Sequence, residues 1–427
     1  MPLIWNFGKF ARYQHFAHDS SRHNMERVWP SLMSWILLER RCSRRQFGAN
    51  AMDFPPFLLD RFLATYEFAL PPIRYNLAAS TGPVWTLGEL MALGGDAQRK
   101  LDELRISYVP PQGTQPLRQR IADFHDVDPD WVIVTTGASE ALSALYALAA
   151  EPGASIVLPY PAFPAMPAMA RAWNLVVTTY ELNRDNGFAQ SAELVLSAVD
   201  ARTRLVLVNS PHNPTGSVMP PAEIEKLAAA LAERRIPLLV DEVYHPLYFG
   251  AKAPSATRFP NTIVVGDASK ALSLSGLRIG WLIDRDAARR ERLIDLRSYF
   301  TISGSPITEA IATHALAHRS AIFGRLESIA RRNLRLLEQF MQAHRSSIGW
   351  AQPLGGPVAF PWWLDGRNAR PMCEALAREG VLTAPGECFD APEHFRLGFG
   401  VQANGFQDAL DIASRVFETV GPTSGPT

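Results

Sequence analysis

Between residues 131 and 265, short apolar runs alternate with longer stretches of helical periodicity. The runs contain many β-branched residues and no regular apolar–polar alternation, which is typical of strands buried on both faces. Strands that alternate with helices along a chain indicate a parallel sheet with helices on both sides. The sequence therefore predicts an α/β domain, with strands at 131–135, 155–158, 175–177, 204–208, 236–240 and 262–265 and helices at 141–148 and 222–234.

The C-terminal part of the chain has a different pattern. A helical periodicity starts after Pro306 and runs toward Gln342, and it is followed by a turn at 355–357, a strand near 358–364, a helix near 372–378 and a strand at 395–399. We interpret this order as a smaller α+β unit, with which residues 52–99 are expected to pack. Because 427 residues exceed what one core usually holds, we predict a large domain at 100–310 and a small domain formed by 52–99 with 311–420.

The first 51 residues show little periodicity and carry His15, His18, His23 and many arginines. Met52 is a plausible initiator methionine, so we expect residues 1–51 to be a mis-assigned extension or a disordered tail. A basic targeting peptide is the competing interpretation. The sequence has no run of about 20 apolar residues, and a transmembrane helix is therefore not predicted.

Charge and cysteine usage narrow the possible functions. Lys+Arg and Asp+Glu are equal at 42 each, so the sequence has no overall basic character for nucleic-acid binding. The three cysteines, Cys42, Cys373 and Cys388, are scattered and lack metal-ligand spacing. This usage indicates a reducing compartment, and we predict a cytoplasmic protein without a disulfide framework or a metal site.

Four residues follow predicted strands and lie close to their ends. Gly137 follows the strand at 131–135, Asn213 the strand at 204–208, Asp241 the strand at 236–240 and Lys270 the strand at 262–265. In open parallel sheets, ligands bind at the carboxyl ends of the strands. The sequence therefore places all four residues along one edge of the predicted sheet.

These residue types match the needs of bound pyridoxal 5′-phosphate (PLP). Lys270 would form a Schiff base with the aldehyde, and partial burial beside other cations would lower its pKa enough for that step. Asp241 would pair with the pyridine nitrogen and keep the ring protonated. Tyr244 and Asn213 would donate hydrogen bonds to the phenolic oxygen of the ring.

The phosphate group needs hydrogen-bond donors as well. Ala138 and Ser139 open a predicted helix whose N-terminal amides favour an anion. Arg278 adds a guanidinium that can bind two phosphate oxygens. Ser139 is also suited to cap the helix, and both roles can hold together. Tyr160 either stacks on the face of the ring or belongs to the core.

Residues 70–420 resemble the fold-type-I PLP enzymes of the class I and II aminotransferase family. The resemblance rests on Asn213-Pro214-Thr215-Gly216, on Asp241 with Tyr244, and on Ser269-Lys270 followed by Gly276-Leu277-Arg278. It implies a large domain with a mostly parallel seven-stranded sheet flanked by helices, plus a smaller α+β domain. It implies catalytic roles for Lys270, Asp241 and Tyr244, and cofactor contacts from Gly137, Ala138, Ser139, Tyr160, Asn213, Ser269 and Arg278.

The resemblance implies further contacts with the partner subunit and the substrate. Tyr108 matches a tyrosine that reaches the phosphate of the other subunit, which implies a homodimer with shared sites. Arg396 matches the arginine that binds the substrate α-carboxylate, although an arginine in a strand more often lies on a solvated face. Ser80 lies in the segment that matches the family's substrate-gating loop, and we expect Ser80 and Asn213 to contact the substrate.

One position departs from the family pattern. Three residues before Lys270, the family usually has a serine or threonine whose hydroxyl meets the phosphate, whereas this chain has Asp267. A carboxylate beside a phosphate dianion is unfavourable unless it turns away, pairs with a cation or is protonated. The departure leaves the expected role of Lys270 unchanged.

The leading functional prediction is an aminotransferase of amino-acid metabolism that moves the amino group of an L-amino acid to a 2-oxo acid through the Lys270 Schiff base. A β/γ-elimination lyase or cyclase would use the same residues, and residues 76–87 are similar to the capreomycidine synthase-like subgroup. A ligand-sensing module fused to a DNA-binding domain is a third class, but residues 1–51 lack a recognition-helix pattern. No residue in the sequence identifies the substrate side chain.

Overall fold

The computed structural model describes residues 55–419, and their strands form one large sheet and three small ones. The large sheet is mostly parallel and has seven strands, one of which runs antiparallel to both of its neighbours. In chain order the strands are β1 (Tyr75–Asn76), β2 (Val132–Thr135), β3 (Ser155–Tyr160), β4 (Val176–Glu181), β5 (Thr203–Asn209), β6 (Leu238–Asp241), β7 (Thr262–Asp267), β8 (Gly280–Asp284), β9 (Ile348–Gly349), β10 (Val358–Ala359), β11 (Trp362–Trp363), β12 (Val381–Leu382), β13 (Ala384–Pro385) and β14 (Phe395–Gly398).

The large sheet has the strand order β2-β8-β7-β6-β5-β3-β4, and β8 is the reversed strand. Helices lie over the sheet and around the small sheets. In chain order they are α1 (Leu58–Glu67), α2 (Leu87–Met91), α3 (Ala97–Asp102), α4 (Gln115–His125), α5 (Gly137–Ala149), α6 (Ala165–Ala172), α7 (Ala192–Ser197), α8 (Pro221–Glu233), α9 (Ala287–Thr301), α10 (Pro306–Ala317), α11 (Arg319–Ala343), α12 (Arg370–Arg378) and α13 (Phe406–Thr419).

Apolar side chains fill both faces of the large sheet. Val134 of β2 and Val240 of β6 belong to one buried cluster, while Ile133 and Leu239 belong to a second. Successive residues of a strand point to opposite faces, so the two clusters lie on opposite sides of the sheet. This arrangement confirms the α/β class and the prediction of strands buried on both faces with helices on both sides.

Three details of the predicted elements were wrong. β4 is an edge strand, and Val176 is 43% exposed there because β4 pairs only with β3 among the described strands. β8 was not predicted, because the predicted strand series ends at residue 265 and β8 begins at Gly280. The helical pattern from 306 to 342 is two helices, and they are separated at His318, whose φ of −109° and ψ of 21° are not helical. No glycine or proline marks that break in the sequence.

The N-terminal and C-terminal segments of the described chain meet in the small sheets. β1 pairs in parallel with β12, with Tyr75 opposite Val381. Helix α1 contacts β12 and β13. Strand β14 lies between β10 and β13 and carries Arg396 opposite Ala384. The boundaries of the large domain (100–310) and the small domain (52–99 with 311–420) stay a prediction.

Two further points concern the ends of the chain and the membrane. The expectation for residues 1–51, an extension or a disordered tail, lies outside the described residues. Within residues 55–419, none of the helices combines the length and the apolar character that crossing a membrane requires.

Candidate active site

The carboxyl ends of three adjacent strands bring the sequence-predicted residues together. Asp241 is the last residue of β6, and it is in register with Asn209 of β5 and Val265 of β7. Asn213 follows the end of β5 by four residues, and Lys270 follows the end of β7 by three. The structure therefore places these residues along one edge of the sheet, where parallel strands commonly hold ligands.

Lys270 is half-buried at this edge, and its Nζ donates a hydrogen bond to Ser80 Oγ at 3.0 Å. Burial lowers the pKa of Lys270 to about 8, with Arg396 and Arg278 acting in the same direction and Asp267 and Asp241 opposing them. An amine with this pKa is neutral in roughly a tenth of the molecules at pH 7, far more than an ordinary lysine. Lys270 is therefore suited to act as a nucleophile and to carry protons.

Asp241 is 3% exposed, and its Oδ1 accepts a hydrogen bond from the Val243 amide at 3.1 Å. Burial raises the pKa of Asp241 to about 7, and the Asp267 carboxylate adds to this, while the Val243 amide and Lys270 act against it. Asp241 forms no ion pair with any of residues 55–419. A buried carboxyl with a raised pKa and no ion pair is suited to a cationic partner such as a protonated ring nitrogen.

Asn209 forms hydrogen bonds with both Asp241 and Asn213, and it was not predicted as a site residue from the sequence. Its side-chain amide donates to the Asp241 carbonyl oxygen at 3.1 Å, and its Oδ1 accepts from the Asn213 amide at 2.8 Å. In the sequence, Asn209 directly follows the apolar run at 205–208, and this position at a strand end is the signal that could have identified it.

The Tyr244 hydroxyl is buried, and it has no hydrogen-bond partner of good geometry among the described residues. Burial raises the pKa of Tyr244 to about 12, whereas Arg396 and nearby Ser80 act to lower it. Buried polar atoms are nearly always paired in native proteins. An unpaired hydroxyl at this position therefore fits a ligand that supplies an acceptor.

Arg396 is 2% exposed and donates to Asn213 Oδ1 at 3.1 Å and to the Ala78 carbonyl at 2.7 Å. Its Nε has no partner, and no carboxylate forms an ion pair with it in the described chain. Its guanidinium carbon lies 5.1 Å from the centre of the Phe389 ring, and burial lowers its pKa. Arg396 therefore does not lie on a solvated face, and a buried guanidinium without an ion pair is suited to a carboxylate ligand; its role in substrate binding stays a prediction.

A cradle of donors lies between the start of α5 and the turn after β7. Gly137 has φ of +74°, and a Cβ added there would lie 2.3 Å from Arg278 Nη2. Arg278 Nη1 donates to Ser269 Oγ at 3.2 Å. The Ala138 amide also points into this region, but it donates to Asp267 Oδ2 at 2.8 Å. Asp267 thus holds an amide that had been expected to be free for phosphate.

Ser139, Tyr160 and Tyr108 are placed as follows. Ser139 is exposed in the first turn of α5; it does not cap that helix, because Thr136 is the N-cap residue. Tyr160 is half-buried, and its hydroxyl donates to the Asp390 carbonyl at 2.6 Å. Tyr108 is 82% exposed. The stacking role of Tyr160 and the inter-subunit role of Tyr108 stay predictions.

Asp60, on α1, is a charged neighbour of the site that sequence reasoning missed. Burial raises its pKa, while Lys270 and Arg396 lower it. The sequence of α1 has an amphipathic pattern and no motif, so it provides no signal for this proximity.

The described residues fit PLP. Lys270 offers an amine of lowered pKa, Asp241 an unpaired buried carboxyl, Tyr244 an unpaired hydroxyl and Arg278 a guanidinium in a cradle that excludes a side chain at Gly137. Residues 55–419 contain no cluster of His, Cys, Asp and Glu suited to a metal ion. The fold and this set of residues define the class: a fold-type-I, PLP-dependent enzyme.

Comparisons with known proteins give the family. The model of the family described as aminotransferase class I and II matches residues 95–412. The chain belongs to this family, which confirms the resemblance inferred from the sequence.

The proteins to which this chain is similar are named for different reactions. The chain is 33% identical to capreomycidine synthase from Streptomyces vinaceus over 82% of this chain and 91% of that protein. It is 30% identical to an aspartate/prephenate aminotransferase from Thermus thermophilus over 75% of this chain and 86% of that protein. Its fold matches the solved structure of the PLP-dependent cyclase OrfR with a TM-score of 0.78 and 25% identity, covering 88% of this chain and 100% of that chain.

Proposed function

We propose that the protein is an aminotransferase that takes the amino group of an L-amino acid and passes it to a 2-oxo acid. PLP, when bound, supplies an aldehyde that condenses with amines and a protonated ring that withdraws electrons from the substrate Cα. The single observation that carries the proposal is that Lys270, Asp241 and Arg396 converge, each without an ion pair among residues 55–419. Each is thus available for cofactor or substrate.

In this proposal, each residue acts at a stated atom. Arg396 binds the substrate carboxylate through its planar guanidinium, and its hydrogen bond to Asn213 fixes the orientation of both side chains. Lys270 Nζ would remove the proton from the substrate Cα and hold it for return. Asp241 would hold the ring nitrogen in its protonated form, and Tyr244 would donate to the phenolic oxygen.

The loop that precedes Gly82 contributes two contacts that support a substrate-binding role. Ser80 Oγ accepts from Lys270 Nζ, and the Ala78 carbonyl accepts from Arg396. A substrate that binds both Lys270 and Arg396 therefore lies against this loop. We propose that Ser80 positions Lys270 Nζ during proton transfer.

The test is a titration of the purified holoprotein with a panel of L-amino acids. We expect the cofactor absorbance to fall with one amino-acid class, with stoichiometric pyridoxamine phosphate and 2-oxo acid detected by mass spectrometry. Lys270→Ala is expected to lack this response, whereas Lys252→Ala, at an exposed lysine, should retain it. Turnover that releases ammonia or a cyclised product without pyridoxamine phosphate would refute transamination.

A β/γ-elimination lyase or cyclase is the second candidate. The observation that favours it is the 33% identity to capreomycidine synthase, which extends over 91% of that protein. The same proton transfer by Lys270 would then lead to loss of a leaving group from the substrate. The titration described above separates the two candidates, because only transamination accumulates pyridoxamine phosphate in the absence of a 2-oxo acid.

We also propose that the protein acts as a homodimer. Ile106, Tyr108 and Tyr299 are 81%, 82% and 88% exposed, and a cavity of about 520 Å³ opens beside α3 and α10. Contiguous apolar patches on a surface commonly mark interaction sites, and we propose that these side chains form such a patch. Light scattering should give twice the chain mass, and mixing Tyr108→Phe with Lys270→Ala should restore part of the activity if Tyr108 serves the partner site. A fully active monomer would contradict this proposal.

A further inference from the structure

Asp267 occupies two of the donors in the proposed phosphate cradle. Its Oδ2 accepts from the Ala138 amide at 2.8 Å, and its Oδ1 accepts from the Ser269 amide. The side chain is 7% exposed. The carboxylate is therefore fixed among donors that favour an anion, one of which is at the N-terminus of α5.

The two oxygens of Asp267 face different surroundings. A Cβ added at Gly137 would lie 3.3 Å from Asp267 Oδ2 and 2.3 Å from Arg278 Nη2. Oδ2 and the Arg278 guanidinium thus border the same small space, and they form no ion pair with each other among residues 55–419. A phosphate held by Arg278 and by the Ala138 amide would meet Oδ2 directly.

The charges around this space leave a surplus of negative charge once phosphate binds. The charged groups that face Asp267 are Asp241 at the end of β6, Lys270 in the turn after β7, and Arg278 in the following turn. A phosphate dianion would add two negative charges beside the Asp267 carboxylate, and Arg278 would supply one positive charge, because the protonated ring would pair with Asp241 and Lys270 would lose its ammonium on linking to the cofactor. Two like charges that share a buried site cannot both stay ionised without a large cost.

We propose that PLP binding is coupled to the uptake of one proton by Asp267, on Oδ2, which then donates a hydrogen bond to a phosphate oxygen. The proton comes from solvent, and one O–H bond forms for each cofactor bound. The Ala138 amide moves its hydrogen bond from Oδ2 to the phosphate, while the Ser269 amide keeps Oδ1. Protonated Asp267 thereby acts as a hydroxyl donor. The inference rests on the proposed phosphate site and is independent of the reaction catalysed.

The first test is the pH dependence of PLP affinity. Apoprotein is titrated with PLP across a pH series for the wild type, Asp267→Asn and Asp267→Ser, and binding is followed by absorbance. Because PLP binding to the wild type requires one proton and binding to Asp267→Asn does not, the ratio of the wild-type Kd to the Asp267→Asn Kd should rise about tenfold for each unit by which the pH increases. With pyridoxal, which has no phosphate, the ratio should stay flat. A flat ratio with PLP would overturn the inference.

The second test counts protons. Calorimetric titrations with PLP in two buffers of different ionisation enthalpy, at one alkaline pH, should give one more proton taken up by the wild type than by Asp267→Asn. If the asparagine variant does not fold, Asp267→Ser provides the same comparison. Equal proton counts together with normal PLP binding would overturn this inference alone. Failure of the wild type to bind PLP at any pH would instead overturn the proposed site and function.

Discussion

Replacing Asp241 with asparagine in the apoprotein should change how folding stability depends on pH. Burial raises the pKa of Asp241 from 3.8 to about 7, so the folded chain holds this proton more tightly than the unfolded chain does. As pH rises from about 4 to about 7, the unfolded chain loses the proton first, and the native state loses stability. Integrated between about pH 5 and pH 8, this one group lowers the stability of the native state by about 2 to 3 kcal/mol.

The assay is urea denaturation of apoprotein at these two pH values. The loss of stability between them should be about 2 to 3 kcal/mol smaller in Asp241→Asn than in the wild type. Both proteins keep a second contribution of the same sign, because burial also raises the pKa of Glu242 to about 7. Asp295→Asn, at an exposed carboxylate on α9, is the matched control and should leave the wild-type profile unchanged.

Adding PLP should reduce the share of the pH dependence that comes from Asp241. A protonated ring nitrogen beside Asp241 favours its ionised form, so the native state no longer needs the bound proton. If the stability of wild-type and Asp241→Asn apoprotein changes equally with pH, the assignment of Asp241 as a buried carboxyl that retains its proton is refuted.

Three further outcomes are expected. Lys270→Ala should abolish the visible absorbance of the bound cofactor, and Lys252→Ala should not; loss in both variants would point to general unfolding. Gly398→Ala should lower kcat/KM about 100-fold, because the added Cβ would lie 2.0 Å from the Ala79 carbonyl oxygen and displace the loop that holds Ser80; unchanged kinetics would show that the loop adapts. Arg396→Lys should raise KM for the amino acid about 100-fold while cofactor absorbance is retained, since lysine lacks the planar fork; an unchanged KM would exclude Arg396 as the carboxylate site.

The strand-end residues were predictable from the sequence for a physical reason. Asp241 and Lys270 follow uninterrupted apolar runs, and such runs become parallel strands whose carboxyl ends meet at one edge. A predicted strand and the short distance in sequence from its end to Asp241 or Lys270 therefore place both residues at this edge of the sheet, without any knowledge of packing.

Contacts that depend on distant segments were not predictable in this way. The Ser80–Lys270 hydrogen bond joins residues 190 positions apart, and the contact of Arg396 with Ala78 joins residues 318 apart. Asp60 approaches the site only because α1 packs against β12 and β13. No local periodicity encodes such approaches. The sequence did identify Asp267 as unusual, but its hydrogen bond with the Ala138 amide joins residues 129 positions apart.

The position of β2 in the sheet has a consequence for how the chain folds during synthesis. Strands β3 to β7 pair with strands that are close to them in the sequence and are therefore synthesised soon before or after them. In the described chain, β2 pairs only with β8, which begins at Gly280, 145 residues after the end of β2. The α5 N-terminus, directly after β2, can therefore reach Asp267 only once β8 has left the ribosome. A nascent chain that ends before Gly280 lacks the strand that joins β2 to the rest of the sheet, so we expect the proposed phosphate site to form, and the cofactor to bind, only after the sheet closes.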